Sequence, residues 1–274
     1  MHIGIIGGTG GMGSLFARVF AAAGHRVSVS GRHTPLSNTD LARGCDVVIV
    51  SVPIGSTVEV IREIALLLRE GQVLCDFTSL KAAPVAAMLE TNAAVLGLHP
   101  MFGPSVPSLH GQTIIACPAR ISPERAEEVL GIFRAAGAAV RVMDPAEHDR
   151  LMAVVQGLAH FATLTVAGTM RRLGVDLDAL LAATSPVYRI ETALVGRILG
   201  QDPALYGPIL QENPAVPAVL AAFEEAAGEL RQAVEGSDEE AFRRIFDADA
   251  AFFRAYIPQA TEDSEALVRC LADR

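Results

Sequence analysis

The chain begins with a short apolar stretch that leads directly into a glycine-rich turn. Residues 2–7 read HIGIIG, and the next stretch, GTGGMGS, places Gly8, Gly10 and Gly13 in the spacing GxGxxG before a segment with helical periodicity. Between a strand and a helix, the first glycine allows a tight turn, the second lets the backbone approach a diphosphate, and the third packs helix against strand. The pattern predicts a dinucleotide-binding unit, and a merely glycine-rich turn is the alternative. The predicted cofactor contacts here are Gly8, Thr9, Gly10, Gly11, Met12 and Gly13.

Short runs rich in valine and isoleucine alternate with helix-like stretches through the first half of the chain. The runs predicted as strands are residues 2–7, 26–30, 46–53, 72–77, 94–99, 113–117 and 139–143. The stretches with helical spacing are residues 13–23, 56–69, 82–90 and 122–136. Such alternation is typical of a parallel sheet with helices on both faces. The predicted class is therefore α/β, with a Rossmann-type, doubly wound parallel sheet over residues 1–145.

The pattern changes in the second half of the chain. From Leu151 onward there is no convincing strand run, only long segments rich in Ala, Leu, Glu and Arg. Residues 151–170 are nearly uncharged apart from His160, and a helix that is apolar all round must be buried on all sides. In so small a domain this favours a core helix shared with a second subunit. We therefore predict that residues 146–274 form an all-α dimerisation domain of a homodimer.

Composition and charge exclude several classes of protein. Hydrophobic residues make up 51% of the 274 residues and charged residues 19%, which is typical of a globular chain. The net charge of −9 disfavours nucleic-acid binding, which needs basic patches. No apolar run reaches the roughly 18 residues of a membrane span, and a strand at residue 2 leaves no room for a leader, so we expect a cytoplasmic protein. Four widely spaced cysteines without a CxxC pair predict no metal site.

Polar side chains follow several of the predicted strands at the point where each strand ends. Ser51 and Pro53 follow the third strand, Ser79 and Lys81 follow the fourth, and His99 ends the fifth. Ligands of open α/β sheets bind beyond the carboxyl ends of the strands, so we expect these residues to line one crevice. Lys81 is the only lysine in the chain, which indicates either a need for a compact ammonium there or chance. A histidine that only caps or packs the strand end is the alternative for His99.

The end of the second predicted strand carries no carboxylate. The stretch reads VSVSGRHT, with Ser30, Arg32, His33 and Thr34, where an NAD-binding protein usually has Asp or Glu. Hydroxyls and a guanidinium suit a 2′-phosphate, so the sequence predicts contacts from Ser30, Arg32 and His33 and a preference for NADP over NAD. A polar surface loop without a role in binding is the alternative.

Four longer stretches carry a family resemblance. They read GLHPMFGPS, DFTSLK, EHDRLMAVVQGLAHFAT and SPVYRIETALVGRILGQDPALY, and together they resemble prephenate dehydrogenase in the form that some bacteria fuse to chorismate mutase. The resemblance runs from the first strand to about residue 210 and implies a monofunctional enzyme. Such an enzyme oxidises prephenate with NAD(P)⁺ to 4-hydroxyphenylpyruvate and CO₂ on the route to tyrosine.

The resemblance also implies roles for individual residues. His99 matches the family's catalytic histidine, which hydrogen-bonds the substrate's 4-hydroxyl, and Ser79 matches a serine that helps to hold that hydroxyl and the nicotinamide end. Arg197 matches an arginine that binds a substrate carboxylate. The further substrate-binding positions that it implies are Lys81, His148 and His160.

Other functions stay open at this point. A β-hydroxyacid dehydrogenase is disfavoured, because enzymes of that family have a catalytic lysine on a helix of the second domain. The only lysine here, Lys81, precedes that domain. A catalytically silent NAD(P)-binding sensor is the alternative from a different class. Within the resembling family, prephenate, arogenate and 4-amino-4-deoxyprephenate are all candidate substrates. The uncharged stretch PSVPS at residues 104–108 does not decide between them.

Overall fold

The computed structural model describes residues 1–273, which form two compact units. The first unit comprises Met1–Met152 together with Gly207–Pro214. The second comprises Ala153–Tyr206 together with the chain from Ala215 onward. The domain boundary that we predict between residues 145 and 146 stays a prediction.

The first unit is built on one seven-stranded sheet with the order β2-β1-β3-β4-β5-β6-β7. The strands are β1 (His2–Ile6), β2 (Arg26–Ser30), β3 (Val47–Val50), β4 (Val73–Asp76), β5 (Ala94–Pro100), β6 (Thr113–Arg120) and β7 (Ala139–Val142). All neighbouring strands are parallel except β5 and β6, which are antiparallel. The prediction of a doubly wound α/β sheet is confirmed, but one strand pair departs from the parallel arrangement. No helix lies between β5 and β6 to carry the chain back across the sheet, so β6 returns antiparallel.

Helices cover both faces of this sheet. They are α1 (Gly11–Ala22), α2 (Asn38–Gly44), α3 (Ile54–Ile64), α4 (Ala82–Leu89), α5 (Pro123–Ala135) and α6 (Pro145–Met152), with a 3₁₀ turn at Ala65–Leu67. Sequence reasoning missed α2, although its start carries a readable signal. The Ser37 hydroxyl accepts from the Asp40 backbone N–H, and the Asp40 carboxylate accepts from the Ser37 backbone N–H, which is a capping box.

Two apolar cores lie on opposite faces of the sheet. Alternate residues of each strand point to opposite faces, so Ile49 of β3 belongs to one core and Val48 to the other. The first core contains the aromatic side chains of α1 and α5 and the residue after β4, which are Phe16, Phe20, Phe133 and Phe77. The second contains Leu41, Ile61, Ile64, Val85 and Met88 from α2, α3 and α4. Packing on both faces holds the sheet rigid and fixes the positions at which its strands end.

The second unit is helical throughout its described residues, as the sequence predicts. A π-helical segment, Ala153–Leu158, leads into its helices. These are α7 (Ala159–Arg172), α8 (Leu177–Ala182), α9 (Pro186–Leu199), α10 (Pro203–Gln211, of which the last residues belong to the first unit), α11 (Val216–Glu235), α12 (Glu239–Phe253) and α13 (Ile257–Ala272). α7 packs against α11 through Phe161 and Phe223, whose ring centroids are 5.6 Å apart.

One helical run, Pro145–Arg172, is long and apolar enough to cross a membrane by length and composition. The expectation of no such segment is therefore corrected. Thr, Gly and Gln residues interrupt the apolar residues of this run, so the sequence shows no long unbroken apolar stretch there. Its most apolar 18-residue window nevertheless has few charged residues, and the mean hydropathy of that window is 1.5. The core helix of a soluble protein passes the same test, and 17% of this window is buried in the single chain.

All four cysteines are free thiols. Cys45, Cys75 and Cys117 are buried, and Cys270 is exposed. Burial raises the pKa of Cys45 to about 11 and that of Cys117 to about 12, so both stay protonated near neutral pH. These thiols pack as small apolar side chains.

Candidate active site

Five neighbouring parallel strands end at the same edge of the sheet. Because β2, β1, β3, β4 and β5 lie side by side and run parallel, the segments after their carboxyl ends meet there. The chain leaves β1 for β2 on one side while β3 lies on the other, which is the kind of switch point where open α/β sheets bind ligands. The structure therefore brings to one edge the predicted residues Gly8 to Gly13, Arg32, His33, Ser51, Pro53, Ser79 and His99.

The tight turn after β1 has its positive φ at Gly7, and the predicted turn residue Gly8 lies in the same turn. Gly7 has φ of +77°, and a Cβ added there would lie 2.2 Å from the Ser51 carbonyl oxygen. Gly8 is needed for a different reason, since its Cβ would lie 2.6 Å from the Cβ of Val29 in β2. A Cβ at Gly13 would lie 2.5 Å from the Gly7 carbonyl oxygen, so Gly13 has the predicted packing role. These contacts require glycine at all three positions.

The start of α1 suits a diphosphate. Its N-cap is Gly10, no side chain caps it, and its first turn contains no acidic residue. The backbone N–H groups of Gly11, Met12 and Gly13 are therefore available to an anion, and the helix dipole adds partial positive charge. A Cβ at Gly10 would have only the Gly7 carbonyl oxygen within 4 Å, at 3.3 Å, so the missing side chain keeps the backbone open to a ligand. The residues present fit a dinucleotide.

The residues after β2 divide into a buried and an exposed set. Ser30 is 1% exposed, and its hydroxyl donates to Asn38 Oδ1 at 2.8 Å. The predicted contact of Ser30 with the cofactor is therefore not supported, because its hydrogen is already committed inside the fold. The hydroxyl of Thr34 is also engaged, with the backbone of Gly31. Arg32 and His33 are exposed and remain the predicted contacts of this segment.

Three further predicted residues lie on the loops after β3 and β4. Ser51 is half-buried, and its backbone N–H donates to the Ile6 carbonyl at 2.8 Å, which extends the β1–β3 ladder by one bond. Pro53 is the N-cap of α3. Ser79 is half-buried on the loop between β4 and α4. Their roles toward cofactor and substrate stay predictions.

Lys81 lies inside the fold. Its side chain has no exposed surface, and its ammonium donates to the Asp76 carboxylate at the end of β4 and to Thr78 Oγ1 at 3.2 Å. Asp76 also accepts from the backbone N–H of Thr78 at 3.0 Å and lies 3.4 Å from that of Leu98, the residue before His99. The position of Lys81 does not support the predicted contact with substrate. The ion pair instead holds the loop after β4 against β5.

His99 lies near the end of β5 and is 2% exposed. Its Nδ1 is 2.8 Å from Nε2 of His148. Burial holds the pKa of His99 well below its ordinary value of 6.5, and electrostatic interactions with His148 and Lys81 lower it further. The imidazole is therefore neutral near pH 7 and can accept a proton.

His148 and Asp149 are consecutive residues of α6, and His148 lies between His99 and Asp149 in a chain of close polar contacts. His148 has no exposed surface, which does not support its predicted contact with substrate, and its Nδ1 is 2.8 Å from Asp149 Oδ1. The two Asp149 oxygens accept from the backbone N–H groups of Lys81 and Ala82 at 2.8 and 2.9 Å. Burial works to raise the pKa of Asp149, but the hydrogen bonds from His148 and from these N–H groups outweigh it, and the pKa falls below its usual range. Sequence reasoning missed Asp149, although it lies in the quoted stretch EHD.

The second unit contains the other predicted residues, His160 and Arg197. His160 on α7 is half-buried and meets the Tyr206 ring edge-on, with centroids 4.8 Å apart. Burial lowers the pKa of His160, and the charge of Arg197 lowers it further, so the structure places these two side chains near each other. Arg197 on α9 is exposed. Sequence reasoning missed Tyr206, for which no motif gave a signal.

Comparison with known families gives a decisive match over most of the chain. Residues 21–142 match the family model described as the nucleotide-binding domain of prephenate dehydrogenase, and residues 144–248 match that of its dimerization domain. The chain belongs to the prephenate dehydrogenase family. The fold, the glycine-rich turn and the match of the first unit to a nucleotide-binding domain agree with this membership.

Three curated relatives have different names, and two of these names give a substrate. The chain is 37% identical over 272 residues to a probable arogenate/prephenate dehydrogenase of Methanocaldococcus jannaschii, covering 92% of this chain and 61% of that protein. It is 36% identical over 266 residues to the T-protein of Haemophilus influenzae, covering 97% of this chain and 70% of that protein. It is 30% identical to the 4-amino-4-deoxyprephenate dehydrogenase of Streptomyces pristinaespiralis, covering 88% of each. The chain thus spans about three fifths of the length of the first relative.

A solved structure shows the same fold. The prephenate dehydrogenase of Aquifex aeolicus, in complex with hydroxyphenyl propionate and NAD⁺, superposes with a TM-score of 0.74 at 21% identity. The match covers 93% of this chain and 98% of that chain. The two chains therefore share a fold over most of their length.

Proposed function

We propose that this protein is an NAD(P)-dependent dehydrogenase that converts prephenate to 4-hydroxyphenylpyruvate and CO₂ in tyrosine biosynthesis. The observation that carries the proposal is the position of His99, a neutral imidazole at the sheet edge that also bears the glycine-rich turn. Membership of the family and the activity named for the Methanocaldococcus jannaschii relative support the choice of reaction.

The cofactor would be held by the start of α1. The backbone N–H groups of Gly11, Met12 and Gly13 would bind the diphosphate, and Arg32 and His33 would face the adenosine ribose. Ser51, Pro53 and Ser79 line the same sheet edge toward β5. When bound, the nicotinamide accepts the hydride that leaves C4 of the substrate ring.

His99 and Ser79 would act on the 4-hydroxyl of the substrate. As hydride leaves C4, positive charge develops on the carbon that bears this hydroxyl, and a hydrogen bond to the imidazole of His99 stabilises it. The imidazole takes up the proton as that charge grows. It returns the proton when the ring carboxylate leaves as CO₂ and its electron pair makes the ring aromatic. The hydroxyl of Ser79 would orient the same group.

For Arg197 and His160 of the second unit we propose the substrate-binding roles that the family resemblance implies. The exposed guanidinium of Arg197 is suited to a carboxylate, which it can bind through two parallel N–H donors. The lowered pKa of His160 keeps its imidazole neutral and able to accept or donate a hydrogen bond beside the bound group.

The proposal is tested by measuring turnover of prephenate, arogenate and 4-amino-4-deoxyprephenate with the purified protein and each nucleotide. We expect prephenate to have the highest kcat/KM of the three. Higher kcat/KM for arogenate or for the 4-amino compound would assign the protein to that analogue instead. Nucleotide binding without turnover of any of the three would identify a silent sensor and overturn the proposal.

The same proposal includes a cytoplasmic homodimer. The match of residues 144–248 to a dimerization domain supports it, and so do apolar side chains that the single chain leaves exposed. On the apolar run Pro145–Arg172 these are Leu151, Val154, Val155 and Val166, and on α12 they are Phe242 and Phe246. Several large apolar side chains exposed along helices favour a protein interface. A partner subunit would also account for a long apolar helix in a protein without a membrane.

Light scattering on the protein purified without detergent is expected to give twice the chain mass of 28.8 kDa at micromolar concentration. The matched variants are Val155→Glu on the apolar run and Val142→Glu, an exposed valine of the edge strand β7. The first is expected to weaken the dimer and the second to leave it unchanged. A stable monomer of the unmodified protein would contradict the proposed dimer. So would a protein that can be recovered only in detergent.

A further inference from the structure

We propose that Asp149 and His148 are positioning residues that fix His99 in one tautomer, with the proton on Nδ1 and the lone pair on Nε2. This inference rests on the proposed function, in which His99 accepts the proton of the substrate hydroxyl. It assigns a role to two buried residues that do not contact substrate or cofactor in that reaction.

The Asp149 carboxylate is the fixed end of the arrangement. Its two oxygens accept from the backbone N–H groups of Lys81 and Ala82, at the start of α4, and its backbone carbonyl accepts from Asn213 Nδ2 at 2.8 Å. Helix α4 has no side-chain cap of its own, so this carboxylate satisfies donors that would otherwise be left buried and unpaired. It is thus held in place and ionised, and an ionised carboxylate can only accept hydrogen bonds.

The tautomers follow from the carboxylate by elimination. Since Asp149 Oδ1 is an acceptor, the His148 nitrogen that faces it at 2.8 Å, Nδ1, must carry a hydrogen. The proposal assigns a neutral state to His148, and a neutral imidazole has one donor and one acceptor, so its Nε2 presents a lone pair. His99 Nδ1 lies 2.8 Å from that lone pair and must therefore donate. The second nitrogen of His99, Nε2, is then left as the acceptor.

The same hydrogen bonds partly offset the burial that lowers the pKa of His99 when the ring takes up a proton during the reaction. A proton taken up at Nε2 makes Nδ1–H a stronger donor to His148, which in turn donates to the Asp149 carboxylate. Lys81, the nearby cation, opposes this charge, but its ammonium is neutralised by Asp76. In serine proteases a carboxylate orients the catalytic histidine through one direct hydrogen bond. Here a second imidazole, that of His148, lies between the carboxylate and the catalytic histidine.

Two substitutions at His148 separate positioning from mere packing. In His148→Gln the amide oxygen can occupy the place of Nε2 and still accept from His99 Nδ1. In His148→Asn the shorter amide reaches only the place of Nδ1, so the hydrogen bond between His99 Nδ1 and residue 148 is lost. We expect kcat to fall about 10–100-fold in His148→Asn, the usual cost of losing such a supporting contact. We expect most of this loss to be recovered in His148→Gln, and KM and nucleotide binding to change little in either variant.

The tautomer itself is read from the nitrogen shifts of His99 in protein labelled with ¹⁵N-histidine, assigned with the His99→Asn variant. We expect a protonated Nδ1 and an unprotonated Nε2 in the unmodified protein, and a mixture of tautomers in His148→Asn. A hydrogen on Nε2 in the unmodified protein would overturn the inference, as would equal losses of kcat in the two His148 variants. The tautomer is read without turnover, so failure of the proposed function appears in the substrate assays and not in this measurement.

Discussion

Replacing His99 with asparagine is expected to lower kcat by about 10²–10⁴-fold and to leave nucleotide binding unchanged. The asparagine amide reaches the place of Nδ1 and can still donate to His148, so the buried end of β5 keeps its hydrogen bond. It has no group that can take up a proton. The loss therefore measures proton acceptance rather than damage to the strand, and steady-state kinetics with prephenate and nucleotide titrations measure the two effects separately.

The pH dependence of the unmodified protein should agree with the same assignment. Burial holds the pKa of His99 below 6.5, so the imidazole is protonated and inactive only at pH values below that pKa. We therefore expect kcat/KM to hold as the pH falls through 6.5 and to decline only when the pH reaches the lowered pKa of His99, and this acidic limb should vanish in His99→Asn. The control is His110→Asn, an exposed histidine of the same unit, which is expected to keep full activity. Near-normal turnover in His99→Asn would return His99 to a role in capping the strand.

The sheet could be predicted from the sequence because its signals are local. Strands buried on both faces read as runs of Val and Ile, and every predicted strand exists in the structure. The antiparallel strand β6 could not be read in the same way, because a run of apolar residues has no direction. Its direction follows from the connection of residues 101–112, which contains no helix. The short helix α2 was missed although the spacing from Ser37 to Asp40 announces it.

The sequence predicts which residues lie near the candidate site but not which way their side chains point. The sequence places Lys81, His148 and Ser30 among the ligand contacts, whereas all three are buried with partners inside the fold. The direction of each side chain depends on a partner that is distant in sequence. Asp149 binds the backbone of Lys81 across 68 residues, and His148 meets His99 across 49. A single sequence does not show which distant residues make such contacts.

Two of the side chains predicted to select between NAD and NADP stay available to a cofactor. With Ser30 committed to Asn38 and the Thr34 hydroxyl to Gly31, the exposed Arg32 and His33 remain after β2. The stretch that follows β2 still contains no carboxylate to accept from a ribose 2′-hydroxyl or to repel a 2′-phosphate. The guanidinium of Arg32 can pair with a phosphate dianion through two donors or lie against the adenine. We therefore expect the predicted preference for NADP to depend on Arg32.

Replacing Arg32 with alanine is expected to reduce kcat/KM for NADP⁺ by about tenfold to a hundredfold, the range for loss of a charge-assisted contact, and to change kcat/KM for NAD⁺ little. The unmodified protein should favour NADP⁺ by a similar factor. The matched control is Arg26→Ala, which removes the same charge from the other end of β2, away from the edge where the strands end. That variant is expected to leave the ratio of the two kcat/KM values unchanged, because screening weakens a charge so far from the site. Equal or better use of NAD⁺ by the unmodified protein would contradict the assignment, as would an Arg32→Ala variant that loses activity equally with both nucleotides.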